Sequence, residues 1–256
     1  MAGNYPRMLT RIDHVEPAPR RVRVIHDGQV LVDTTRALYV WEWSNYPQYY
    51  VPRRDVAEDL LVTDGRTEQS SRGTSLLYGF ASAAAPAPPV ARLLQEAVRS
   101  ELADTFRFDW DAMDAWFEED EEVFVHPRNP YSRVDALRST RSVRVELEGV
   151  VLAESAAPVM VFETGLPTRY YLDRTAVRFD HLVPSPTVTR CPYKGTTSAY
   201  WSAEIGGTTH ADVAWSYDFP TRQLTPVAGL VAFYDERVDT FVDGVRNERP
   251  RTHFSD

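Results

Sequence analysis

The chain has 256 residues, 43% of them hydrophobic, and its 28 basic and 37 acidic residues give a net charge of -9 at neutral pH. This length and composition predict a folded protein of one or two domains. The acidic balance speaks against a nucleic-acid-binding protein, which normally has a basic face. One cysteine and six scattered histidines exclude a disulfide framework and a multi-cysteine zinc site.

The location of the protein is inferred from what the sequence lacks. No stretch is as long and apolar as a membrane span, and residues 1–21 lack the apolar centre of a signal peptide. We therefore expect a cytoplasmic protein that acts as a monomer or a homodimer, without a membrane or nucleic-acid partner. We also expect no metal and no tightly held cofactor.

The sequence contains an internal repeat. Residues 22–62 and 143–183 have the same residue at 15 of 41 positions when they are aligned without a gap. The ends of the repeats also correspond, since residues 108–117 align with residues 233–242. Matches at a fixed spacing indicate duplication, so we predict two tandem copies of one domain of about 110 residues.

The first copy begins with alternating apolar residues on either side of Asp27-Gly28, which predicts two strands joined by a tight turn. Further short apolar runs at residues 37–43 and 49–52 predict more strands. Residues 86–104 differ, because a proline-rich lead is followed by apolar residues at helical spacing. We expect a helical insertion there.

The second copy repeats the strand pattern around Glu148-Gly149 and adds a long hairpin with Gly206-Gly207 at its turn. The predicted fold class is therefore all-β, with two tandem domains from an internal duplication and a helical insertion in the first. The predicted segments are an N-terminal arm (1–20), a first domain (21–139, insertion at 86–104), a second domain (140–246) and a C-terminal tail (247–256).

Three motifs resemble those of a bacterial family, domain-of-unknown-function family 427. They are "RCPYKGTTSAYWS" at 190–202, "VAWSY" at 213–217 and "AGLVAFYDERVDTFVDG" at 228–244. The resemblance implies β-tent-like domains, similar to folds that often hold zinc on several cysteines, whereas this chain has a single cysteine. The family has also carried a nucleotidyltransferase label, but Asp109 and Asp111, the one Asp-x-Asp pair, do not lie beside a glycine-serine turn.

The motif "RCPYKG" (190–195) holds the only cysteine and the only lysine of a chain with 27 arginines. A nearby ammonium favours a nucleophilic thiolate, and a desolvated lysine could act as a base or a carbonyl-trapping amine, which arginine cannot. The first copy has Ser70-Ser71-Arg72-Gly73-Thr74 at this place and lacks both groups. We therefore expect an active second copy and a scaffold first copy.

The candidate site residues form two groups. As catalytic residues we predict Cys191 and Lys194, with His181 as a base because it replaces Leu60 of the first copy. The predicted ligand-binding residues come from three sources. The aromatics near Cys191 in the sequence are Tyr193, Trp201, Trp215 and Tyr217, and the residues repeated in both copies are Glu163, Tyr170 and Arg174. His126 and Arg128 belong to residues 117–135, a segment between the copies that we call the strap.

These residues suggest a small-molecule pocket in the second domain that binds or transforms an electrophilic or anionic metabolite. If the protein is an enzyme, it would be a Cys/Lys-dependent transferase or lyase. The alternative is a non-catalytic binding or interaction module in which CPYKG is a structural turn. Cys191 would then be a small buried hydrophobe, and Lys194 would lay its stem on Trp201.

Overall fold

The computed structural model describes residues 10–83, 88–252 and 254–255. Its described residues divide into two compact units, one ending at Asn129 and the other beginning at Pro130. The sequence prediction placed this boundary at 139/140. The difference arises because the short strand at Val134–Arg138 pairs with Val159–Glu163 and so belongs to the second unit. Residues 1–9 of the predicted arm, residues 86–87 of the predicted insertion, and residues 253 and 256 of the predicted tail lie outside the described residues.

The first domain consists of two antiparallel sheets. Its strands are β1 (Val15–Pro17), β2 (Val22–His26), β3 (Gln29–Thr34), β4 (Leu38–Val40), β5 (Gln48–Pro52), β6 (Leu61–Val62), β7 (Thr67–Ser70), β8 (Gly73–Phe80), β9 (Ala91–Ala97), β10 (Thr105–Phe108), β11 (Ala115–Glu118) and β12 (Glu121–Val123). The large sheet has the order β1-β4-β5-β10-β9-β8-β6, with β7 paired to β8, and the small sheet has the order β12-β11-β2-β3. Its 3-10 helices are Arg53–Asp55, Glu58–Leu60, Ser100–Leu102 and Trp110–Ala112.

The second domain repeats this arrangement. Its strands are β13 (Val134–Arg138), β14 (Val143–Leu147), β15 (Val150–Ser155), β16 (Val159–Glu163), β17 (Arg169–Leu172), β18 (Leu182–Ser185), β19 (Arg190–Cys191), β20 (Gly195–Thr196), β21 (Ala199–Ile205), β22 (Thr208–Ser216), β23 (Val231–Phe233), β24 (Asp239–Val242) and β25 (Val245–Arg246). The sheets have the orders β13-β16-β17-β23-β22-β21-β18 and β15-β14-β24-β25, and β19 pairs with β20. Its 3-10 helices are Arg174–Ala176, Phe179–His181 and Arg222–Val227.

The predicted all-β class with two tandem domains is therefore confirmed. The hairpin turns lie where the sequence placed them, since Asp27 and Gly28 have φ angles of 49° and 69° between β2 and β3. Such positive values are the ones that a tight hairpin turn requires. Among the described residues, no helix has the length and apolar character needed to cross a membrane.

The predicted helical insertion is wrong. Its described residues form strand β9, which pairs with β8 on one side and β10 on the other, and a single 3-10 turn at Ser100–Leu102. Leu93 packs in the core between the two sheets, whereas Leu94 packs on the opposite face of the large sheet. Because the adjacent Leu93 and Leu94 are buried on opposite faces, the strand lacks a simple alternation of apolar and polar residues, and its apolar residues can imitate helical spacing.

In each domain the main core lies between the large and small sheets, on what we call the inner face of the large sheet. In the first domain this core contains Val24 of β2, Trp116 of β11 and Phe106 of β10. The outer face carries a second apolar cluster, which includes Tyr50 in the first domain and Tyr171 in the second. Adjacent tyrosines thus divide between the faces as a strand requires. Tyr49 lies on the inner face and Tyr50 on the outer, and Tyr170 and Tyr171 of the second domain divide in the same way.

The two outer faces differ in how much chain covers them. In the second domain, residues 217–230 connect β22 to β23, and their 3-10 helix buries Leu224 and Val227 against the outer face. In the first domain the matching connection is only residues 98–104, and its 3-10 turn buries Leu102 alone. The outer face of the first domain is therefore less covered by apolar side chains.

Gly73 begins β8 directly after the turn that carries Arg72, and its φ angle is +131°. A Cβ atom there would lie 1.8 Å from the backbone oxygen of Glu96. We expect Gly73→Ala to lower the free energy of unfolding by about 3 kcal/mol or more, because the paired backbone of β9 would have to move. Urea denaturation measures this loss.

Gly28→Ala is the matched control. Gly28 also has a positive φ angle, +69°, but a Cβ atom there meets nothing within 4 Å. Only the conformational cost remains, about 1 kcal/mol. Equal losses for the two variants would contradict the tight approach of β8 to β9.

Candidate functional site

Lys194 lies in the outer face of the second domain, at the end of the turn between β19 and β20. Its side chain is buried, with 8% of the residue exposed. The ammonium pairs with the carboxylate of Glu163, the last residue of β16, and Nζ lies 3.9 Å from Sγ of Cys191. The three-residue turn Pro192-Tyr193-Lys194 therefore brings the thiol and the ammonium together, and the sheet supplies the counterion.

The ammonium of Lys194 stays protonated. Burial alone would lower its pKa, but the neighbouring Glu163, Cys191 and Tyr171 raise the pKa above its ordinary value. The hypothesis that Lys194 acts as a neutral base or amine nucleophile thus conflicts with its surroundings. What the arrangement can do is stabilise negative charge on the half-buried sulfur of Cys191.

Aromatic rings surround this pair. Tyr171 accepts a hydrogen bond from Nε1 of Trp215 at 3.2 Å, and burial raises the pKa of Tyr171 to about 12 although Lys194 lowers it. The ring of Tyr234 lies 4.4 Å from that of Trp215, and Tyr217 is buried in the same cluster. Burial, together with Tyr171 and Cys191, raises the pKa of Tyr217. These rings pack together on the outer face, where Tyr171 interacts with Lys194 and Tyr217 with Cys191.

Of the predicted site residues, Glu163, Trp215 and Tyr217 lie on the outer face with Cys191 and Lys194. Trp201 and Tyr170 instead pack with the inner-face cluster, because neighbouring residues of a strand point to opposite faces. Burial raises the pKa of Tyr170, whose hydroxyl accepts a hydrogen bond from Asn247. Tyr171, its neighbour, is the tyrosine at the site.

The remaining predicted residues have other surroundings. Arg174 binds the carbonyl oxygen of Gly229 and lies over the ring of Trp201, 5.4 Å from its centre. His181 ends a 3-10 turn, faces Asp180 at 3.7 Å and makes no hydrogen bond to Cys191.

The last three predicted residues each make a different kind of contact: a backbone hydrogen bond for Tyr193, a ring stack for His126 and an ion pair for Arg128. The carbonyl oxygen of Tyr193 accepts a hydrogen bond from Thr221. In the first domain, His126 stacks on Tyr46 with ring centres 3.6 Å apart, and Arg128 lies 3.7 Å from Glu121.

Strand pairing locates the same site in the first domain. Ser70 pairs with Gly73 as Cys191 pairs with Gly195, so Ser70 occupies the position of the thiol. Arg72 precedes Gly73 as Lys194 precedes Gly195, and by the repeat alignment Glu42 and Tyr50 correspond to Glu163 and Tyr171. In the strand pairing, Arg107 of β10 lies opposite Arg92 of β9, and Ala232 of β23 lies opposite Trp215 of β22. Arg107 therefore corresponds to Ala232, and Arg92 corresponds to Trp215. Asp109 corresponds to Tyr234, since each directly follows its strand.

At this place the first domain has an open cavity of about 230 Å³. Its lining contains three arginines, three carboxylates, two serines, one tyrosine and one leucine. The residues are Glu42, Tyr50, Glu68, Ser70, Arg72, Ser75, Arg92, Leu94, Arg107 and Asp109. Charged side chains thus surround a space that aromatic rings occupy in the other domain.

The six charged side chains of the cavity, together with Asp13, which pairs with Arg72 but does not line the cavity, form a row of ion pairs that alternates in sign. In order, the row is Asp13, Arg72, Glu42, Arg107, Asp109, Arg92 and Glu68. Arg72 lies 3.0 Å from Asp13 and 3.6 Å from Glu42, and Arg107 lies 3.3 Å from Glu42. We call these seven side chains the charge row.

Tyr50 completes the polar lining. Its hydroxyl donates to Oε1 of Glu42 at 2.9 Å, and burial and the Glu42 carboxylate raise the pKa of the hydroxyl, so it stays protonated. Arg72 is not fully satisfied by these partners, because its buried Nε has no hydrogen-bond partner among the described residues. The cavity therefore offers paired charges in contact with open space.

Arg92, Arg107 and Asp109 were not among the site residues predicted from the sequence. The available signal was a difference between the copies: the first copy has charged residues at these three positions, and the second copy has the uncharged residues Trp215, Ala232 and Tyr234. The alignment of residues 108–117 with 233–242 already sets Asp109 against Tyr234 and, one residue earlier, Arg107 against Ala232. The exchange of Arg92 for Trp215 is visible only when β9 is aligned with β22, and the helix predicted for 86–104 prevented that alignment. Among the described residues, no group of three or more His, Cys, Asp or Glu side chains is arranged to hold a metal ion.

Comparison with known proteins identifies the domain type. A search of the curated proteins gives no match. A family model described as a domain of unknown function, DUF427, matches residues 14–119 and again residues 135–244. Each match covers most of one of the two sheet domains, so the chain belongs to the DUF427 family, as a member with two copies of the domain.

Proposed function

We propose that this protein binds a small polar molecule in the cavity of the first domain, without covalent chemistry. The observation that carries the proposal is the open, charge-lined cavity at the site which the second domain fills with aromatic rings. Small-molecule sites are concave and place a few polar groups at defined positions. The cavity lining contains no cysteine or histidine, and guanidinium groups do not transfer protons near neutral pH.

This proposal reverses the division of labour expected from the sequence. In the second domain, Lys194 is buried against Glu163, and Trp215 and Tyr217 pack beside them. These contacts support the alternative in which CPYKG is a structural turn. We keep a bacterial, cytoplasmic setting as part of the proposal, because the motifs resemble those of a bacterial family and residues 1–21 lack the apolar centre of a signal peptide.

Filling the cavity tests the proposal. Arg92→Trp introduces the ring that the second domain has at Trp215. In a thermal-shift panel of sugars, amino acids, small carboxylates and inorganic phosphate, we expect at least one compound to stabilise the wild-type protein. A compound present at a hundred times its Kd would raise the midpoint by about 5 °C, and Arg92→Trp should lose this response.

The matched control is Arg21→Trp. Arg21 makes an exposed ion pair with Asp33 and does not line the cavity, so this variant should respond like the wild type. A wild-type response that survives in Arg92→Trp would place the ligand elsewhere. A panel in which no compound stabilises the wild type would also count against the proposal.

A second candidate function is thiol chemistry at Cys191, favoured by the 3.9 Å separation of Nζ and Sγ. The ammonium could stabilise the negative charge that develops on sulfur as it attacks an electrophilic metabolite. Glu163 opposes this effect, because it already neutralises Lys194. The two effects can be separated by substitution.

Alkylation of Cys191 by iodoacetamide at neutral pH measures this activation. We expect Glu163→Gln to speed the reaction by up to about tenfold, because the ammonium then acts on sulfur alone, and Lys194→Met to slow it. Lys194→Met should also cost about 3–5 kcal/mol of stability, since it leaves the buried Glu163 without a partner. Equal alkylation rates in folded wild type and Glu163→Gln would exclude an activated thiol.

A further inference from the structure

The charge row alternates groups that can only donate hydrogen bonds with groups that can only accept them. Guanidinium groups have no acceptor and ionised carboxylates have no donor. Along the cavity the order is Arg72, Glu42, Arg107, Asp109 and Arg92. A ligand group that binds between two neighbours must therefore donate to one and accept from the other.

A hydroxyl is the ordinary ligand group that does both, because it has one donor hydrogen and two acceptor lone pairs. It can donate to the carboxylate of Glu42 or Asp109 and accept from Arg107 while the ion pairs stay in place. Adjacent hydroxyls on one ligand repeat this pattern along the row. The apolar part of the lining, Leu94 and the ring of Tyr50, suits the carbon skeleton that carries them.

The charge of the cavity favours a neutral ligand. Three arginines and three carboxylates line it, so their formal charges sum to zero, and each of them has an oppositely charged partner. An anion that binds an arginine of the row would also face the carboxylates on either side of it, and would either be repelled by them or displace one. A zwitterion would meet the same competition at both of its ends. Leaving a half-buried charge without its partner is costly.

The size of the cavity limits the ligand to one compact molecule. Its volume of about 230 Å³ lies below the range of roughly 300–1,000 Å³ that is typical of pockets for drug-sized ligands. A nucleotide with its base, sugar and phosphates exceeds this space. A single ring with hydroxyl groups does not.

We infer that the cavity binds a neutral, compact molecule with adjacent hydroxyl groups, of the monosaccharide or cyclic-polyol class, along the alternating row from Arg72 to Arg92. This inference rests on the proposed function of the cavity. It adds the ligand class, and with it the expectation that the Kd depends little on salt concentration.

Isothermal titration calorimetry tests the ligand class with D-glucose, D-mannose and myo-inositol as neutral probes. Inorganic phosphate, acetate and glycine serve as charged or zwitterionic probes, each at about 50 and about 500 mM NaCl. We expect a neutral probe to bind best, with a Kd that changes less than about twofold between the two salt concentrations, since its binding forms no new ion pair.

Arg107→Leu should weaken that binding by at least about tenfold, because Arg107 donates within the row to both Glu42 and Asp109. Arg21→Leu is the matched control and should bind like the wild type. Unchanged binding in Arg107→Leu would place the polyol outside the charge row and overturn the inference.

The other outcomes separate the ligand class from the proposed function. If phosphate, acetate or glycine binds most tightly and Arg107→Leu abolishes that binding, the polyol class is wrong and the cavity is still a ligand site. If none of the six probes binds, the polyol class is also wrong, and the fate of the proposed function depends on the thermal-shift panel with Arg92→Trp.

Discussion

The large sheet of each domain has two faces, and the small sheet can cover only one of them. The other must be covered by the chain that connects the strands, since an apolar face left in water is unfavourable. In the second domain, residues 217–230 are long enough to place Leu224 and Val227 there. In the first domain, residues 98–104 are not, and paired charges replace the apolar cover. The length of one connection thus determines the chemistry of the outer face.

This constraint explains the single lysine. The closed site around Glu163 has room for a compact ammonium on a flexible stem, which Lys194 supplies. In the open cavity, Arg72 can spread its planar fork between Asp13 and Glu42. Lysine and arginine therefore stand at corresponding positions for a geometric reason. The rarity of lysine in this chain points to a tightly packed position and does not require a reactive one.

The sequence was informative where structure depends on neighbouring residues. The duplication, the turn at Asp27-Gly28 and the closeness of Cys191 to Lys194 all follow from short stretches of chain. Glu163 was identified as a repeated residue, but its pairing with Lys194 depends on the order of strands in the large sheet.

The cavity was beyond such reasoning. It depends on the missing length of a connection and on side chains from separate strands, such as Arg72, Arg92 and Arg107. The helix predicted for 86–104 failed for a related reason, because β9 is a strand by virtue of its partners β8 and β10. Local preference is overridden when pairing on both sides buries a segment.

The short connection between β9 and β10 also affects how fast a ligand could enter and leave. Its seven residues, 98–104, form one 3-10 turn and bury Leu102, which leaves little chain that could fold over the cavity as a lid. Exchange past this connection would require no slow conformational step, and the lifetime of a complex formed as proposed would be set mainly by its hydrogen bonds. A protein that binds its ligand in this proposed way would follow the free concentration of the ligand from moment to moment and would be poorly suited to storing it.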